Sequence, residues 1–546
     1  MQDLVNGLIQ KVSRSRILSV GAILGCLAVT PLIARQFFER GICDWPMFGQ
    51  NPANTASNQN EGGISASSAP SLKVKWTLTT GGDVSARAAV VGGVAYFPDW
   101  GGNLWAVNTD SGKVIWNHQL SDYGLAPKTV SRTSPAVVDG VVYIGTQYVA
   151  PATTTSAQPP TGWLLAVDAA TGKLIWKTQP DTSNPFPVIT SSPTVARGIV
   201  YVGMTSNEEF AAANPTYTCC SVRGNMVAVN AHTGSVLWQR FTVPTGYTGG
   251  AIWGGNPVVD VDRGTVFVGT GNNYSVPTDP TYVACIKNGG SESTCISSDD
   301  HTDSILALDM YTGAIRWATR LMTWDQQGIT NGSDSWNVAC AFKGKDCPTG
   351  AGPDYDFGSA PNEITYRTDR GWKTIIGAGQ KSGIYYALDP DNGAELWRTQ
   401  VGPGSSLGGM EWGSASDGQR VYVAIGNFYG IPYAGGSAGS WSALDPATGK
   451  ILWQKADPNG AIDLGPLAVA NGVLYVPSMA GATTAPTMLA LNAATGNTLW
   501  SFAPGSSVIA GATVVNGSVY WGSGYTHLGI AGFTGNSKFY AFSVSQ

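Results

Sequence analysis

One eleven-residue pattern recurs seven times along the chain and constrains its fold more than any other feature. The pattern is A-x-(D/N)-x-x-(T/S/N)-G-x-x-x-W, as in the copy from Ala166 to Trp176. Each copy predicts a β-hairpin, because the Asp or Asn side chain can bond the backbone of the turn and Gly supplies a positive φ. The seven copies end at Trp116, Trp176, Trp238, Trp317, Trp397, Trp453 and Trp500.

The spacing of the copies predicts a β-propeller. Successive Trp residues lie 60, 62, 79, 80, 56 and 47 positions apart, which suits one four-stranded antiparallel sheet plus loops each time. The strand around Lys73–Leu78 lacks a partner, and Lys538–Phe542 resembles the first half of the repeat. Pairing these two ends closes the ring, so we expect an all-β, eight-bladed propeller. Within it, each indole N–H should reach a carbonyl of a neighbouring blade, with the small Ala giving room.

Composition agrees with this fold and excludes one class of partner. Charged residues make up 12% of the 546 residues and Gly numbers 70, which favours short strands and turns over helices. The net charge of -5 gives no basic stripe for nucleic acid. Since the repeats fill the chain from about residue 70 onward, we expect one propeller over 41–546, preceded by a separate segment over 1–40.

The N-terminal segment indicates export. Lys11, Arg14 and Arg16 precede the apolar run 17–34, the order of a signal sequence. Cleavage and retention as a membrane anchor remain equal alternatives, and a lipoprotein-type cleavage before Cys26 is a weaker one. A periplasmic or otherwise extracytoplasmic location follows, with or without membrane attachment.

The cysteines predict local disulfides. Two long insertions each carry a close pair and a third pair is adjacent in sequence, so the simplest scheme is Cys285–Cys295, Cys340–Cys347 and Cys219–Cys220, with Cys43 left over. A metal site is the alternative. The ring formed by adjacent cysteines is a poor structural link, which leaves a functional and a structural role open.

With these features the chain resembles the pyrroloquinoline quinone (PQQ) dependent alcohol dehydrogenases, most closely their polyvinyl alcohol dehydrogenase-like branch. The resemblance rests on the repeat, the eight blades and the vicinal cysteines, and it runs from Trp45 to the C-terminus. Motifs between the repeats carry it further: V-S-R, G-A-I-W-G, G-T-G-N, D-Y-D and A-G-Q-K-S-G. Outer-membrane assembly propellers share only the repeat.

The resemblance implies a set of cofactor contacts. Arg132 falls where the family holds the quinone carboxylates, Trp253 where an indole forms the floor under the ring, and Lys381 where a cation meets the quinone oxygens. The complete implied set is Arg132, Cys219, Cys220, Trp253, Lys381 and Trp412. The vicinal pair follows the Glu segment here, whereas in the family it lies on an earlier blade.

The resemblance also implies a metal ion, calcium or a lanthanide, because the implied ligands are oxygens. They are Glu208 or Glu209, Asn272 and Asp354. Asp354 is the implied base, and Asp356 acts mainly on the metal. Lys381 would stabilise charge on the reduced quinone oxygen. The segment 334–337 is a second partial match to the base motif.

The expected reaction is oxidation of an alcohol by hydride transfer to the quinone. The resemblance implies a secondary or a polymeric, polyvinyl alcohol-like substrate. No C-x-x-C-H occurs in the sequence, so electrons would pass to a separate acceptor such as a cytochrome c. The alternative is a non-catalytic propeller for protein binding or outer-membrane assembly. A propeller hydrolase or lyase is a third, weaker option.

Overall fold

The computed structural model describes residues 43–148, 162–184, 186–212, 216–321, 336, 340, 346–348, 352–527 and 530–544. In these residues eight four-stranded antiparallel sheets form the blades of a propeller. The first strand of each blade contacts the first strands of both neighbouring blades, so the eight first strands close a ring around a central axis. The all-β, eight-bladed prediction is therefore confirmed.

The blades follow one another along the chain, each running from its inner first strand to its outer fourth strand. Blades 1 to 4 consist of Ala89–Val91, Val94–Pro98, Asn103–Asn108 and Val114–Gln119; Ala136–Val138, Val141–Gly145, Leu164–Asp168 and Leu174–Thr178; Thr194–Ala196, Ile199–Ser206, Asn225–Asn230 and Val236–Phe241; and Val258–Asp260, Thr265–Gly269, Ser304–Asp309 and Ile315–Arg320. Blades 5 to 7 consist of Asn362–Thr368, Gly371–Gly379, Ile384–Leu388 and Glu395–Gln400; Ala415–Ser416, Val421–Ile425, Ser440–Leu444 and Ile451–Ala456; and Ala468–Ala470, Val473–Pro477, Met488–Asn492 and Thr498–Phe502.

Blade 8 joins the two ends of the chain. Its inner strands are Thr513–Val515, Ser518–Ser523 and Lys538–Val544, and its fourth strand is Leu72–Thr79. The last two strands are antiparallel, with Trp76 opposite Ala541. The predicted closure by the chain ends is confirmed, and it leaves no open edge between blade 7 and blade 1.

The repeat tryptophans link each blade to the next. Every repeat indole N–H, and that of Trp76, donates to a main-chain carbonyl of the following blade. The turn glycine permits this approach: a Cβ on Gly496, at φ 74°, would lie 2.7 Å from the Trp453 ring of the preceding blade. The repeat Ala instead pairs with its own Trp across the hairpin, as Ala490 does with Trp500. Burial of the indoles and the hydrogen bonds that they donate both stabilise the propeller.

The segment from Trp45 to Asn58 runs around the inside of the ring along the first strands of successive blades, a feature that the sequence did not suggest. It is called the axial segment below. Its main chain bonds the first strands of blades 1, 2, 4, 5, 6 and 7, for example between Trp45 and Val90 and through the parallel pairing of Ser57–Asn58 with blade 7. The Asn58 side chain adds a bond to the Val514 carbonyl of blade 8. The axial segment therefore ties distant blades together at the axis.

The segments outside the blades contain short helices, two-residue strands and the disulfides. The α-helices are Glu208–Ala211, Pro280–Lys287 and Glu292–Cys295, the 3-10 helices are Ala69–Ser71 and Leu120–Tyr123, and the two-residue strands outside the blades are Ser57–Asn58, Thr129–Val130, Gln147–Tyr148, Pro187–Val188, Ser359–Ala360 and Trp412–Gly413. The three predicted disulfides are present. Cys43 is also disulfide-bonded, so the expectation that it is left over is wrong.

The N-terminal segment 1–40 lies outside the described residues, and its export function stays a prediction. Among the described residues, no helix combines the length and apolar character needed to cross a membrane.

Candidate active site on the upper face

The predicted site residues all lie in loops at one end of the propeller, called the upper face. These loops join the second strand to the third within a blade, or the fourth strand to the first strand of the next blade. The within-blade loops carry Glu208, Glu209, Cys219, Cys220, Asn272 and Lys381, and the between-blade loops carry Arg132, Trp253, Asp354, Asp356 and Trp412. The ring thus brings residues of blades 2 to 6 to one face.

Lys381 and two aspartates form the centre of the site. The Lys381 Nζ lies 3.0 and 3.1 Å from the two carboxylate oxygens of Asp354 and 2.8 Å from Asp356 Oδ1. It also lies 4.9 Å from the centroid of the Trp253 ring. All three charged side chains are buried, so the ion pairs are weakly screened by solvent.

Two indoles form the aromatic part of the site. The Trp253 Nε1 donates to Asp356 Oδ2 at 2.8 Å, and its main-chain carbonyl accepts from the Thr190 hydroxyl. The Trp412 ring meets Trp253 edge to face, with ring centroids 5.5 Å apart. The Arg132 guanidinium lies 4.4 Å from the centre of the Trp412 ring. A flat ligand could therefore lie against an indole while Arg132 and Lys381 reach its polar edges.

The site contains a glutamate that the sequence analysis missed. Glu411, nearly buried beside Gly358 and Gly408, lies close enough to Lys381 and Arg132 for both to lower its pKa. Burial outweighs these charges and raises the pKa of Glu411 to about 7. It precedes Trp412 in a loop that carries no repeat motif, so no local signal marked it.

Negative charge exceeds positive charge around Lys381. Burial opposes a charged amine, but Asp354, Asp356, Glu411 and Glu209 outweigh it, so the pKa of Lys381 lies well above its ordinary value. Burial likewise raises the pKa of Asp354 well above its ordinary value; Asp356 and Glu209 add to the rise and Lys381 opposes it. Lys381 and the neighbouring Arg132 together cannot neutralise four carboxylates, so the cluster favours a further cation.

Asn272 offers the clearest ligand atom for such a cation. Its Nδ2 donates to Asp354 Oδ1 at 2.7 Å, which fixes the orientation of the amide. Its Oδ1 is buried and has no hydrogen-bond partner among the residues that the structure describes. A buried carbonyl oxygen beside carboxylates suits a hard cation such as calcium or a lanthanide.

Glu208 and Glu209, between which the sequence could not choose a metal ligand, have different surroundings in the structure. The Glu208 carboxylate accepts four hydrogen bonds, from the Ser221 main chain and hydroxyl, the Val222 main chain and the Tyr217 hydroxyl. Its oxygens hold the loop that follows the vicinal disulfide. Glu209 instead contributes its charge at Asp354 and Lys381, which favours Glu209 as the metal ligand.

The vicinal disulfide contacts Asp346 and Tyr274. The Cys219 main-chain N–H donates to Asp346, and its Sγ lies 3.6 Å from the Tyr274 carbonyl oxygen. Burial raises the pKa of Tyr274, and the negative charges of Glu209 and Asp356 raise it further. The predicted cofactor contact of Cys219 and Cys220 remains a prediction. The second partial base motif, at 334–337, is described only at Trp336, next to Asn273.

Comparisons with known proteins identify the family of this chain. A family model described as the outer membrane protein assembly factor BamB matches residues 60–319 and 437–543. The chain is 32% identical to a polyvinylalcohol dehydrogenase of Sphingopyxis sp. (strain 113P3), over 86% of this chain and 70% of that one. It is 31% identical to a polyvinylalcohol dehydrogenase of Pseudomonas sp., over 88% and 73%. The chain belongs to the PQQ-dependent alcohol dehydrogenases.

Within that family, the two polyvinylalcohol dehydrogenases place this quinoprotein in the branch that the sequence motifs indicated. The quinohemoprotein alcohol dehydrogenase of Comamonas testosteroni shares the fold, with a TM-score of 0.64 at 20% identity, covering 92% of this chain and 80% of that one. The family model leaves 320–436 unmatched. That stretch holds Asp354, Asp356, Lys381, Glu411 and Trp412, whereas Arg132, Glu209, Trp253 and Asn272 lie in the matched part.

Proposed function

We propose that this quinoprotein oxidises an alcohol at the Lys381 cluster, with PQQ against Trp253 and a calcium or lanthanide ion held by Glu209, Asn272 and Asp354. The observation that carries the proposal is the convergence of two buried aspartates and one lysine beside the unpartnered Asn272 Oδ1. A binding propeller has no need for buried, unbalanced charge, which destabilises a fold.

The residues present fit both groups. The orphaned Asn272 oxygen and the excess of carboxylates suit a divalent or trivalent cation. The Trp253 ring, with Lys381 above it and Arg132 at the neighbouring Trp412, suits a flat, anionic ring system. When bound, the quinone would accept the hydride and the metal ion would polarise oxygen atoms of the reactants.

The proposed roles of the chain's own residues follow from their contacts. Asp354 takes the hydroxyl proton of the alcohol on its carboxylate, which Lys381 and the Asn272 amide hold in place. Lys381 neutralises negative charge that develops on an acceptor oxygen. Asp356 positions both Lys381 and Trp253.

An open groove on the upper face supports a large substrate. It has a volume of about 670 Å³ and lies among the loops of blades 6, 7 and 8. Phe428, Ile462, Met479 and Phe533 line it among small and polar residues. Ile462, Met479 and Phe533 also belong to the cluster that packs against Trp412, so the groove adjoins the site. A chain with an apolar backbone and hydroxyl groups, such as polyvinyl alcohol, matches this mixed lining.

The proposal includes export, which the apolar run 17–34 supports. It also includes a separate electron acceptor such as a cytochrome c, because the sequence contains no C-x-x-C-H motif. Fractionation of cells producing the full chain tests export, and a soluble or membrane-bound product distinguishes cleavage from anchoring.

The decisive experiment is reconstitution. The full-length protein, loaded with PQQ and either calcium or a lanthanide, should reduce a dye when given primary, secondary or polymeric alcohols. Lys381→Met should abolish dye reduction, whereas Lys455→Met on the outer strand of blade 6 should not change it. Absence of activity with every alcohol, together with absence of PQQ binding, would favour the non-catalytic propeller.

A further inference from the structure

One hairpin of blade 5 extends beyond the corresponding turn of blade 6 at the lower face, the end of the propeller opposite the upper face. The first strand of blade 5, Asn362–Thr368, has seven residues, whereas the first strands of the other blades have two or three. A Cβ on Gly418, in the blade 6 turn, would lie 3.0 Å from the Thr365 carbonyl oxygen. Three residue pairs of the hairpin lie beyond that level, which adds roughly 10 Å of strand at about 3.3 Å per residue. These residues, 366–373, are called the blade 5 tip below.

Packing on one side holds the blade 5 tip in place. Tyr366 is buried in a hydrophobic cluster that includes Leu444 and Ile451 of blade 6. Successive side chains of a strand point to opposite faces, so Arg367 and Trp372, which lie opposite each other in the ladder, share the other face of the hairpin. Both of these side chains are exposed. The tip is therefore an ordered element with one face turned to solvent.

The exposed face of the tip carries a tryptophan. Trp372 is 71% exposed, more than any other large apolar side chain in the described residues. A Trp side chain in a soluble protein is usually highly buried, so this exposure loses the stabilisation that burial would give. The indole combines an apolar ring with an N–H donor, which favours the boundary between a lipid bilayer and water.

The tip is also positively charged, in a chain whose net charge is -5. It contains three basic residues, Arg367, Arg370 and Lys373, and one acidic residue, Asp369. The three basic side chains are exposed, and none of them forms an ion pair with a residue that the structure describes. Exposed Lys and Arg side chains are attracted to anionic phospholipid headgroups.

A lipid surface fits the tip better than a protein partner does. One indole offers too little apolar area for the core of a stable protein interface, whereas single Trp side chains suit the headgroup region of a bilayer. The described chain also begins at the lower face, where the Gly92 N–H in the first turn of blade 1 donates to Asp44 Oδ1 at 3.3 Å. Residues 1–42, with the apolar run 17–34, are therefore linked to the propeller at this face. Retention of that run as an anchor would strengthen a weak contact at the tip, because tethering raises its effective concentration.

We propose that the blade 5 tip binds the surface of an anionic phospholipid membrane. Trp372 enters the headgroup region, and Arg367, Arg370 and Lys373 bind the lipid phosphates. The upper face, with the candidate active site, then points away from the lipid and stays open to substrate and electron acceptor. The contact requires neither PQQ nor turnover, so its test does not depend on the proposed enzymatic function.

The first test measures binding of the full-length protein to vesicles by flotation, with phosphatidylcholine alone or mixed with phosphatidylglycerol. Binding should be tighter to the mixed vesicles and should weaken as salt is added, because salt screens exposed charges. The variant Trp372→Ala and the double variant Arg370→Gln, Lys373→Gln should each lower the affinity for mixed vesicles about 10-fold. Equal binding of the parent protein to both kinds of vesicle would overturn the proposal.

Matched variants on the upper face control for changes in total charge and total aromatic surface. Tyr429→Ala removes a side chain that is 56% exposed, and the double variant Lys128→Gln, Lys287→Gln removes two exposed positive charges. Both should bind the mixed vesicles as the parent protein does. All four variants should keep the Tm of the parent protein, because the substituted side chains are exposed. Equal losses of binding in the tip variants and in their controls would refute a contact at the tip.

Hydrogen exchange measured by mass spectrometry locates the contact even when the apolar run itself inserts into the vesicles. Mixed vesicles should slow exchange in residues 366–373 of the full-length protein and leave the upper-face loop 427–432 unchanged. Unchanged exchange at the tip would overturn the proposal. Slowing that needs added membrane proteins and does not occur with pure lipid would identify a protein partner and would also refute the lipid contact.

Discussion

Trp253 donates its indole N–H to Asp356 at 2.8 Å, across 103 residues of sequence. The other oxygen of that carboxylate lies 2.8 Å from Lys381 Nζ. One buried aspartate thus fixes both the Trp253 indole and the Lys381 amine. Sequence reasoning gave Asp356 mainly a role in metal affinity, and the geometry adds a positioning role for it.

We expect Asp354→Asn to lower turnover by about 10² to 10⁴, because the amide keeps the shape of the side chain but loses the basic carboxylate. PQQ affinity, measured by fluorescence quenching, should change little, since Trp253, Arg132 and Lys381 are intact. Full turnover in this variant would show that another group is the base.

Asp356→Asn should weaken PQQ binding about 10-fold or more, because Trp253 and Lys381 both lose their ionised partner. Fluorescence quenching and dye reduction at saturating calcium are the measurements. Complete rescue by calcium alone would restore the original assignment of Asp356 to the metal.

The variants Glu209→Gln and Glu208→Gln should have different effects, the first on metal affinity and the second on stability. Glu209→Gln should lower metal affinity at least 10-fold in a calorimetric titration, with little change in Tm. Glu208→Gln should instead destabilise the protein by about 1 to 3 kcal/mol, because part of a buried hydrogen-bond network loses its acceptor. The reverse pattern would make Glu208 the metal ligand.

Deletion of the last ten residues should cost several kcal/mol of stability and lower Tm, because Leu72–Thr79 loses its partner and blade 8 is opened. Deletion of residues 545 and 546 alone is the control. An unchanged Tm in the longer deletion would contradict the closure.

Glu363 should make stability fall as pH rises. Burial, followed by the charge of Asp260, raises the pKa of Glu363 to about 8 from an ordinary 4.5. The folded protein therefore binds the extra proton between pH 4.5 and 8, and this stabilisation is complete below that window and lost across it. Glu363→Gln should flatten urea midpoints measured from pH 5 to 9.

The exposed Glu395→Gln in the same blade is the control for that measurement. It should leave the pH dependence of the urea midpoint as it is in the parent protein. An identical pH dependence in the parent and the Glu363 variant would exclude Glu363 as its source.

The sequence by itself determined the ring, because each repeat encodes its own hairpin and the Trp that bonds the next blade. Blade closure followed from one repeat that is split between the two chain ends, and the three disulfides followed from cysteines that lie close together in sequence. Tertiary structure alone decided the path of the axial segment, the position of Glu411 in the site, and the difference between Glu208 and Glu209. These features join loops of different blades, so they depend on distances that exist only after the ring has closed. Side chains that are far apart in sequence leave no periodic trace of such a meeting, whereas a hairpin repeats its signal in every blade.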